Sequence, residues 1–237
     1  MLLYYITDRN LFAGAEADRR ARLLDNMAEA AGCGVDFIQL REKGLSPREL
    51  ENLALDAVVR VRRAGGSRLL INSRVDVAVA SGADGVHLRS GDDLSASEAR
   101  NIFHKAGMTS PVIAVSCHLL EDVYSAEAHG ADFAVFGPVF EKMLDIPNRR
   151  LPGLGLDQLQ KCCERAAAAS SRMPLLALGG INLENAKECL ENGAAGVAAI
   201  RLFQPEKLEE IEKIVSALRK LALPPPQDPQ RRHPYQS

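Results

Sequence analysis

Short apolar runs alternate along this chain with amphipathic stretches rich in Ala, Leu, Glu and Arg. One phrase recurs four times: a glycine that ends a helix, a turn of acidic or small residues, and an apolar strand. The copies predict strands at residues 36–41, 85–88, 133–137 and 196–200, which follow Gly34, Gly82, Gly130 and Gly193. Each glycine fits the left-handed backbone conformation in which helices commonly end. The phrase therefore predicts four junctions at which a helix leads into a strand.

The spacing of these glycines indicates how many strands the chain holds. The first three lie 48 residues apart (82 − 34 and 130 − 82), and the last gap is 63 residues (193 − 130). A compact strand-helix unit takes roughly 25 to 30 residues, so each gap has room for one additional strand. Four further apolar runs lie at the required places: residues 2–6, 68–72, 111–116 and 174–179. Eight strands alternating with helices predict an α/β protein with one domain, a (β/α)8 TIM barrel.

Local signals agree with this count. All eight runs are apolar throughout, as expected of parallel strands that are covered on both faces. Helical patterns lie between them, for example at residues 47–64 and 183–192. Ser46 before Pro47 is a typical helix start, and Asn182 with Asn185 suggests another. Agreement between local signals and the global pattern favours the barrel over any arrangement based on one motif.

Composition and charge narrow the classes of partner. The chain has 237 residues and a net charge of −2, which does not favour nucleic acid or an anionic membrane as a partner. No apolar run approaches the roughly 20 residues of a membrane span. The first residues lead directly into a strand without a signal sequence, so a cytoplasmic protein is expected. Self-association is left open by the sequence.

Cysteine usage and the end of the chain complete this picture. The five cysteines are odd in number and lack CxxC pairing, which favours a reduced, cytoplasmic chain. The segment after residue 222 is rich in Pro, Gln and Arg, and such a composition predicts disorder. We therefore expect a barrel domain at residues 1–222 and a disordered tail at residues 223–237.

Active sites of such barrels lie at the carboxyl ends of the strands, where several polar residues follow the apolar runs. After the second strand Gln39, Arg41 and Lys43 alternate, so they share one side of an extended segment. If that side faces the barrel axis, its cation pair suits a phosphate or diphosphate. The alternative is a solvated strand end in which Arg41 pairs with a neighbouring carboxylate.

A glycine pair follows the seventh strand. Gly179 and Gly180 would let backbone amides approach a ligand at the place where these barrels commonly bind phosphate. A helix expected from Leu183 would add amide donors at its first turn. The alternative is that the pair is needed only for tight packing.

An acidic loop follows the fourth strand. Asp92 and Asp93 lie across the predicted mouth from the glycine pair, and carboxylates opposite a diphosphate usually hold Mg²⁺. The alternative is an acidic loop that begins the next helix at Ser95 or Ser97. His87 is expected to be a hydrogen-bonded core residue, and His118 a helix cap or ligand contact. Without a nucleophile paired to a base, electrostatic assistance to a departing diphosphate fits best.

Seven phrases between residue 5 and about residue 203 together resemble the thiamine-phosphate synthase family, which includes the related thiazole tautomerases. The phrases are Tyr5-Ile6-Thr7-Asp8, Gln39-Leu40-Arg41-Glu42-Lys43, Asn72-x-Arg74-Val75-Asp76-Val77-Ala78, Gly82-Ala83-Asp84-Gly85-Val86-His87-Leu88, Ser116-Cys117-His118, Gly137-Pro138-Val139-Phe140 and Ala177-Leu178-Gly179-Gly180-Ile181. Each phrase alone has little specificity, and the set in this order is specific.

The resemblance implies an activity and a set of site residues. The family's synthases join hydroxymethylpyrimidine diphosphate to thiazole phosphate with Mg²⁺, and diphosphate leaves before the thiazole nitrogen captures the pyrimidine-methyl cation. The implied ligands of the pyrimidine diphosphate are Gln39, Arg41, Lys43, Asn72 and Ser116. Asp92 would bind Mg²⁺, and the thiazole phosphate would lie against Gly180, Ile200 and Arg201. Arg41, Lys43, Ser116 and Lys142 are the expected catalytic residues.

The chain departs from this family at four places. Ser73 lies where the synthases usually carry a second metal-binding Asp, and Arg201 lies where they carry Ser. Lys142 and Asp145 replace the ends of a Thr-x-x-Lys pattern, so Lys142 or Arg149 is expected to substitute for the lost lysine. Pro138 replaces the catalytic His of the tautomerases. A divergent synthase is the leading hypothesis; a tautomerase-like enzyme and a non-catalytic binder of thiazole or thiamine phosphate remain alternatives.

Overall fold

A computed structural model of the chain describes residues 1–143, 150–168 and 173–221; the side chains of Lys142 and Met143 are not among those described. Eight parallel strands close into one barrel in which neighbours in sequence are neighbours in the sheet and the last strand pairs with the first. The strands are β1 (Leu2–Ile6), β2 (Phe37–Leu40), β3 (Arg68–Asn72), β4 (Gly85–Leu88), β5 (Val112–Cys117), β6 (Phe133–Phe136), β7 (Leu175–Leu178) and β8 (Gly196–Ala199). The predicted single-domain (β/α)8 barrel is confirmed.

Eight α-helices surround the barrel in the described part of the chain. They are α1 (Glu16–Gly32), α2 (Pro47–Ala64), α3 (Val75–Ser81), α4 (Ala96–Lys105), α5 (Leu120–Ala128), α6 (Leu156–Ala168), α7 (Ala186–Glu191) and α8 (Glu210–Lys220). Helix α2 begins as predicted, because the Ser46 hydroxyl accepts from the Glu49 amide while the Glu49 carboxylate accepts from the Ser46 amide. Apolar stripes of the helices pack on the outer face of the barrel to form the larger core.

The repeated phrase has a structural cause at the amino-terminal rim of the barrel. Its glycines all have positive φ, between 68° and 91°, as predicted: Gly34, Gly82, Gly130 and Gly193. In the first three copies the Asp that follows accepts a hydrogen bond from the second residue of the preceding strand. The pairs are Asp36 with the amide of Leu3 (2.7 Å), Asp84 with that of Leu69 (2.8 Å) and Asp132 with that of Ile113 (2.6 Å). The fourth copy has Ala195 at this position and lacks the carboxylate.

A smaller apolar cluster fills the inside of the barrel. Tyr4, Leu70, Phe133 and Leu176 are all nearly inaccessible to solvent and belong to this cluster. The rings of Tyr4 and Phe133 meet edge to face, with centroids 5.3 Å apart. Because residues alternate between the two faces of a strand, every second residue that follows this layer points into the barrel mouth.

The expected helix start at Leu183 is wrong by three residues, and α7 is only six residues long. The cause is a network of asparagine side chains. Oδ1 of Asn182 accepts from the amides of Glu184 and Asn185, and Oδ1 of Asn185 accepts from the Asn182 amide. These bonds hold residues 182–185 in a turn, since Asn side chains compete with helical hydrogen bonding.

One further difference concerns the connection after β6. Lys142–Met143 and Arg150–Leu151 pair as a short antiparallel ribbon, which the strand count did not anticipate. The predicted tail at residues 223–237 lies outside the described residues, as does residue 222. No helix in the described ranges is long and apolar enough to cross a membrane.

The aspartate of the repeated phrase gives a prediction about stability. Asp84→Ala should lower the free energy of unfolding by about 1–3 kcal/mol, because the Leu69 amide loses its carboxylate acceptor. Arg68 and Arg62, within 3.6 Å and 3.4 Å of the same carboxylate, would also lose a partner. Urea denaturation measures the difference. The exposed Asp56 on α2 provides the control Asp56→Ala, which should stay close to wild type; equal losses in the two variants would contradict the assigned role.

Candidate active site

Four polar side chains form an inner ring at the barrel mouth. Gln39, Asn72, His87 and Ser116 occupy positions that alternate with the outward-facing core residues of β2, β3, β4 and β5. Nε2 of Gln39 lies 3.4 Å from Oδ1 of Asn72, and Asn72 is in register with His87. Three residues predicted to bind the pyrimidine diphosphate, Gln39, Asn72 and Ser116, therefore come from β2, β3 and β5, and His87 on β4 lies between the last two.

A buried chain of hydrogen bonds leads from the barrel interior to Ser116. The Tyr4 hydroxyl lies 2.9 Å from Nδ1 of His87, and Nε2 of His87 lies 2.7 Å from Oγ of Ser116. Tyr4 is inaccessible to solvent and His87 is 3% exposed. The prediction that His87 is a hydrogen-bonded core residue is confirmed, and its contact with Ser116 links that core to the mouth.

The protonation of this chain follows from burial. Burial lowers the pKa of His87 to about 3, and the nearby Arg41 charge acts in the same direction, so the ring is neutral at physiological pH. A neutral imidazole has one donor and one acceptor nitrogen. If Nδ1 donated to Tyr4, the buried Tyr4 proton would lose its partner at a cost of about 1–3 kcal/mol. Tyr4 therefore donates to Nδ1, and Nε2–H donates to Ser116, whose own proton is left for a ligand.

The segment after β2 is fixed by a buried carboxylate. Oε1 of Glu42 accepts from the Thr7 hydroxyl at 2.5 Å, and Oε2 accepts from the amide of Arg9 at 3.0 Å and from its guanidinium at 3.2 Å. The Thr7 hydroxyl also accepts from the Arg41 amide at 3.0 Å. Burial raises the pKa of the Glu42 carboxyl, and the hydrogen bonds from Thr7 and Arg9 oppose that effect. Glu42 thus points back into the protein between Arg41 and Lys43.

Arg41 is half-buried at the mouth, and Lys43 is exposed. The carboxylate nearest in sequence, Glu42, pairs with Arg9 instead of Arg41, which disfavours the alternative of a strand end held by a local ion pair. The effect of Arg41 on the pKa of His87 indicates that its charge lies close to the inner ring.

The acidic loop after β4 contacts the end of β3 through Asp92. Oδ2 of Asp92 accepts from the Ser73 hydroxyl at 3.2 Å and from the Arg89 amide at 2.9 Å. Oδ1 lies 3.0 Å from Nη2 of Arg89 and 3.1 Å from its Nε. Ser73 has a φ of 57°, in the left-handed region that is uncommon outside glycine. Asp93 is exposed, and the helix that follows is capped by Ser95.

Asp92 and Ser73 fit a magnesium ion only when a bound diphosphate supplies further ligands. In the described residues no group of three His, Cys, Asp or Glu side chains could hold a metal. Sites of this ion at phosphates need one or two carboxylates, with phosphate oxygens and water completing the set. One carboxylate and one hydroxyl meet this requirement when a diphosphate supplies further oxygens.

Gly179 and Gly180 are packed against the loop after β6. Both have positive φ, and a Cβ at Gly180 would lie 2.8 Å from the Glu141 carbonyl oxygen. A Cβ at Gly179 would lie 2.5 Å from Cα of Pro138. Tight packing thus accounts for both glycines. The expected amide donors from the first turn of a helix at Leu183 are absent, because residues 182–185 form a turn and α7 begins only at Ala186.

The remaining predicted residues lie at the ends of β8 and of the ribbon. Ile200 is partly buried against the inner cluster, and Arg201 begins a 3₁₀ turn with an exposed side chain. Gly180 and Ile200 each lie two residues beyond the paired Leu178 and Ala198, so they share one side of the mouth. Lys142 belongs to the ribbon, but its side chain and all of Arg149 lie outside the described residues.

Two residues of the mouth received no role from the sequence. Tyr4 lies within the apolar run of the first strand, so the sequence indicated only a core residue. Strand alternation could have shown that Tyr4 lies on the same face as Ile6, two residues further on, and that this face points into the barrel. Arg89 directly follows β4, and its position in the sequence did not indicate a function. A cavity of about 240 Å³ is bordered by Arg89, Asp92 and Ser116 and extends between α4 and α5.

His118 is the remaining sequence candidate at the mouth. It is exposed after β5, and its Nδ1 lies 2.5 Å from the carbonyl oxygen of Gly137 at the end of β6. Its amide donates to the Asp122 carboxylate at 2.7 Å, next to the start of α5. His118 therefore lies just before the helix, whose cap position is Leu119, so the expected helix cap is wrong by one residue; contact with a ligand stays a prediction.

Comparison with known proteins identifies one family, both by a family model and by similar sequences. A family model described as thiamine monophosphate synthase matches residues 3–203. A thiamine-phosphate synthase of Chlorobium luteolum is 37% identical over 196 residues, 82% of this chain and 86% of the relative. That of Syntrophomonas wolfei is 37% identical over 200 residues, 84% of this chain and 86% of the relative.

The solved structures include a thiamine phosphate pyrophosphorylase from Pyrococcus furiosus. It aligns with a TM-score of 0.72 and 31% identity, over 93% of this chain and 94% of that one. The match therefore extends over the barrel and the mouth together, and the similarity concerns sequence as well as fold.

The buried chain of hydrogen bonds from Tyr4 through His87 to Ser116 predicts that His87 does not take up a proton in the pH range in which a solvent-exposed histidine does. Its ring should keep a proton on Nε2 alone between about pH 5 and 8, which nitrogen chemical shifts in NMR measure. Because the unfolded chain binds this proton near pH 6.5 and the folded chain near pH 3, stability should fall as pH drops below 6.5. The slope contributed by this site is up to about 1.4 kcal/mol per pH unit. His87→Asn should remove that contribution, and an imidazolium signal at pH 6 would refute the assignment.

Proposed function

The chain belongs to the thiamine monophosphate synthase family, and we propose that it joins hydroxymethylpyrimidine diphosphate to thiazole phosphate, releasing thiamine phosphate and diphosphate. The observation that carries this proposal is the inner ring at the mouth. Gln39, Asn72 and Ser116 converge there from β2, β3 and β5, on both sides of His87 on β4 and beside the Arg41 charge. No observation favours the tautomerase or the binder, and Pro138 removes the histidine on which the tautomerase hypothesis would rest.

The pyrimidine diphosphate is proposed to bind across β2, β3 and β5. Arg41 and Lys43 give the diphosphate two cations, and a guanidinium can bind two phosphate oxygens at once. The amides of Gln39 and Asn72 and the hydroxyl of Ser116 add directional hydrogen bonds at the inner ring. Since the relay leaves the Ser116 proton free, Ser116 acts as a donor and suits an anionic or nitrogen acceptor.

The proposed chemistry is a substitution that begins with departure of the leaving group. The bond between the pyrimidine methylene carbon and the diphosphate oxygen breaks, and its electron pair leaves with the diphosphate. The thiazole nitrogen then gives its lone pair to the methylene carbon and becomes the cationic nitrogen of thiamine phosphate. Fixed cations near the departing oxygen lower the barrier because negative charge grows there in the transition state. Lys142 is proposed to assist at this position.

Mg²⁺ is proposed to be held by Asp92 and Ser73 together with diphosphate oxygens, and when bound it would neutralise part of the diphosphate charge. This assignment is supported by the 3.2 Å contact between the Ser73 hydroxyl and the Asp92 carboxylate. The chain itself keeps this carboxylate at the mouth through the Arg89 amide.

The thiazole phosphate is proposed to lie between the ends of β7 and β8. Its phosphate would accept from the Gly180 and Ile200 backbone, and Arg201 would supply a charge-assisted bond. The packing of Gly180 against Glu141 makes Gly180→Val an unsuitable test, since it would move the loop as well as the phosphate. A cytoplasmic setting is proposed on the basis of five free thiols. Assembly into a homo-oligomer stays a prediction.

Replacement of Arg41 tests the diphosphate site. Arg41→Met should raise the KM for the pyrimidine diphosphate roughly ten- to hundredfold, because a charged hydrogen bond contributes about 1.5–3 kcal/mol. The KM for thiazole phosphate should change little. Steady-state formation of thiamine phosphate measures both constants. The control is Arg63→Met, which changes an exposed residue near the carboxyl end of α2. An unaltered KM for the pyrimidine diphosphate in Arg41→Met would reject the assignment of Arg41 to the diphosphate site.

Replacement of Ser73 tests the metal site. Ser73→Asp should lower the Mg²⁺ concentration needed for half-maximal activity, because a second carboxylate joins Asp92. The left-handed backbone of residue 73 accommodates Asp more readily than Ser, so the fold should persist. Ser110→Asp places the same charge at the amino-terminal rim and should leave the requirement unchanged.

The outcome of that assay also separates the functional hypotheses. An unchanged Mg²⁺ dependence in Ser73→Asp would mean that residue 73 does not face the metal. If neither the wild type nor this variant makes thiamine phosphate from both substrates with Mg²⁺, the synthase proposal is wrong. Thiazole phosphate isomerisation would then support the tautomerase, and binding without turnover would support the binder.

A further inference from the structure

Arg89 is a cation at the mouth that the proposed reaction has not used. Its guanidinium lies against the Asp92 carboxylate, with Nη2 and Nε at 3.0 Å and 3.1 Å from Oδ1. Arg89 is 67% exposed in its side chain and Asp92 only 18%. Both residues border the 240 Å³ cavity that also reaches Ser116. The pair therefore borders the same cavity as a residue proposed to bind the pyrimidine diphosphate.

The charge of this pair resembles that of a metal site. A magnesium ion between two aspartates has no net charge, and Arg89 with Asp92 alone is also neutral. With Ser73 in place of a carboxylate, a magnesium ion on Asp92 would leave an excess of one positive charge. With Arg89 in place of the metal, the group around Asp92 therefore has zero net charge, as a magnesium ion with two carboxylates would have.

The geometry also leaves hydrogen-bonding capacity for a ligand. A guanidinium has five N–H donors, and the contacts with Asp92 use one on Nε and one on Nη2. The three others can point at oxygens of an anion in the cavity. Because Asp92 is also held by the Arg89 amide and by Ser73, the guanidinium is fixed at its carboxylate end.

We propose that Arg89 is the resident cation of the diphosphate subsite and competes with a divalent metal for the Asp92 carboxylate. This inference rests on the proposed function of the mouth. Oδ1 of Asp92 cannot accept both guanidinium bonds at full strength while it coordinates a metal. Diphosphate binding in this chain should consequently depend less on Mg²⁺ than in a variant without the guanidinium.

Calorimetric titration of the full chain with inorganic diphosphate tests the first half of this proposal. In the presence of a chelator the wild type should bind diphosphate, and Arg89→Gln should bind it about tenfold more weakly, as expected from loss of a charged hydrogen bond. Added Mg²⁺ should restore binding in Arg89→Gln and strengthen the wild type much less. Arg63→Gln, far from the mouth, should behave as wild type.

Titration with Mn²⁺, followed by electron paramagnetic resonance, tests the competition without a substrate. Mn²⁺ prefers the same oxygen ligands as Mg²⁺. Arg89→Gln should bind it several times more tightly than wild type, because Asp92 loses its internal partner. The double variant Arg89→Gln, Asp92→Asn should lose that gain.

Equal diphosphate affinity in wild type and Arg89→Gln under both conditions would overturn the proposal and leave Arg89 as a structural partner of the loop. Equal Mn²⁺ affinity would overturn the competition. Failure of the proposed function looks different: diphosphate binding would still respond to Arg89→Gln, but no thiamine phosphate would form. Absence of diphosphate binding in the wild type under both conditions would reject both.

Discussion

Three hydrogen bonds at the amino-terminal rim set the register on which the mouth of the barrel depends. The carboxylates of Asp36, Asp84 and Asp132 each accept from the second residue of the preceding odd-numbered strand. A slip of one residue between strands would turn the inward side chains to the outer face. The glycine ahead of each aspartate ends a helix, and the aspartate ties the next strand to its neighbour. The repeated phrase therefore reflects one structural requirement met three times.

This register determines how charged and neutral side chains are distributed at the mouth, which is the carboxyl-terminal end of the barrel. The inner ring holds neutral groups, since Gln39 and Asn72 are amides and His87 is neutral because of burial. The cations Arg41 and Lys43 lie beyond the strand ends, where water and a ligand can reach them. Placing charges outside a neutral ring avoids the large cost of an unpaired charge inside the barrel. In the proposed reaction, the same arrangement would direct the cations at the leaving diphosphate and the polar groups at the carbon from which it departs.

The sequence predicted the fold well because its signals are local. Glycines with positive φ and apolar runs identified all eight barrel strands to within one residue at each end. The start of α7 was missed because asparagine side chains at residues 182–185 bond to backbone amides in place of a helical turn. The ribbon that includes Arg150–Leu151 gave no signal, since its strands have only two residues each.

The site was predicted less completely because its decisive contacts join distant residues. That Ser116 serves as a donor depends on Tyr4, which belongs to the first strand and acts through His87. The partnership of Asp92 with Ser73 also becomes visible only when β3 and β4 pair. Ser73 is strained, with a φ of 57°, and its amide donates to the His87 carbonyl at 2.8 Å. That bond, with the one from its hydroxyl to Asp92, holds a backbone conformation that Asp tolerates better than Ser. If Asp92 holds a metal as proposed, Ser73 contributes a hydroxyl where a second carboxylate would add a negative charge, and the Arg89 guanidinium lies against the one carboxylate that remains.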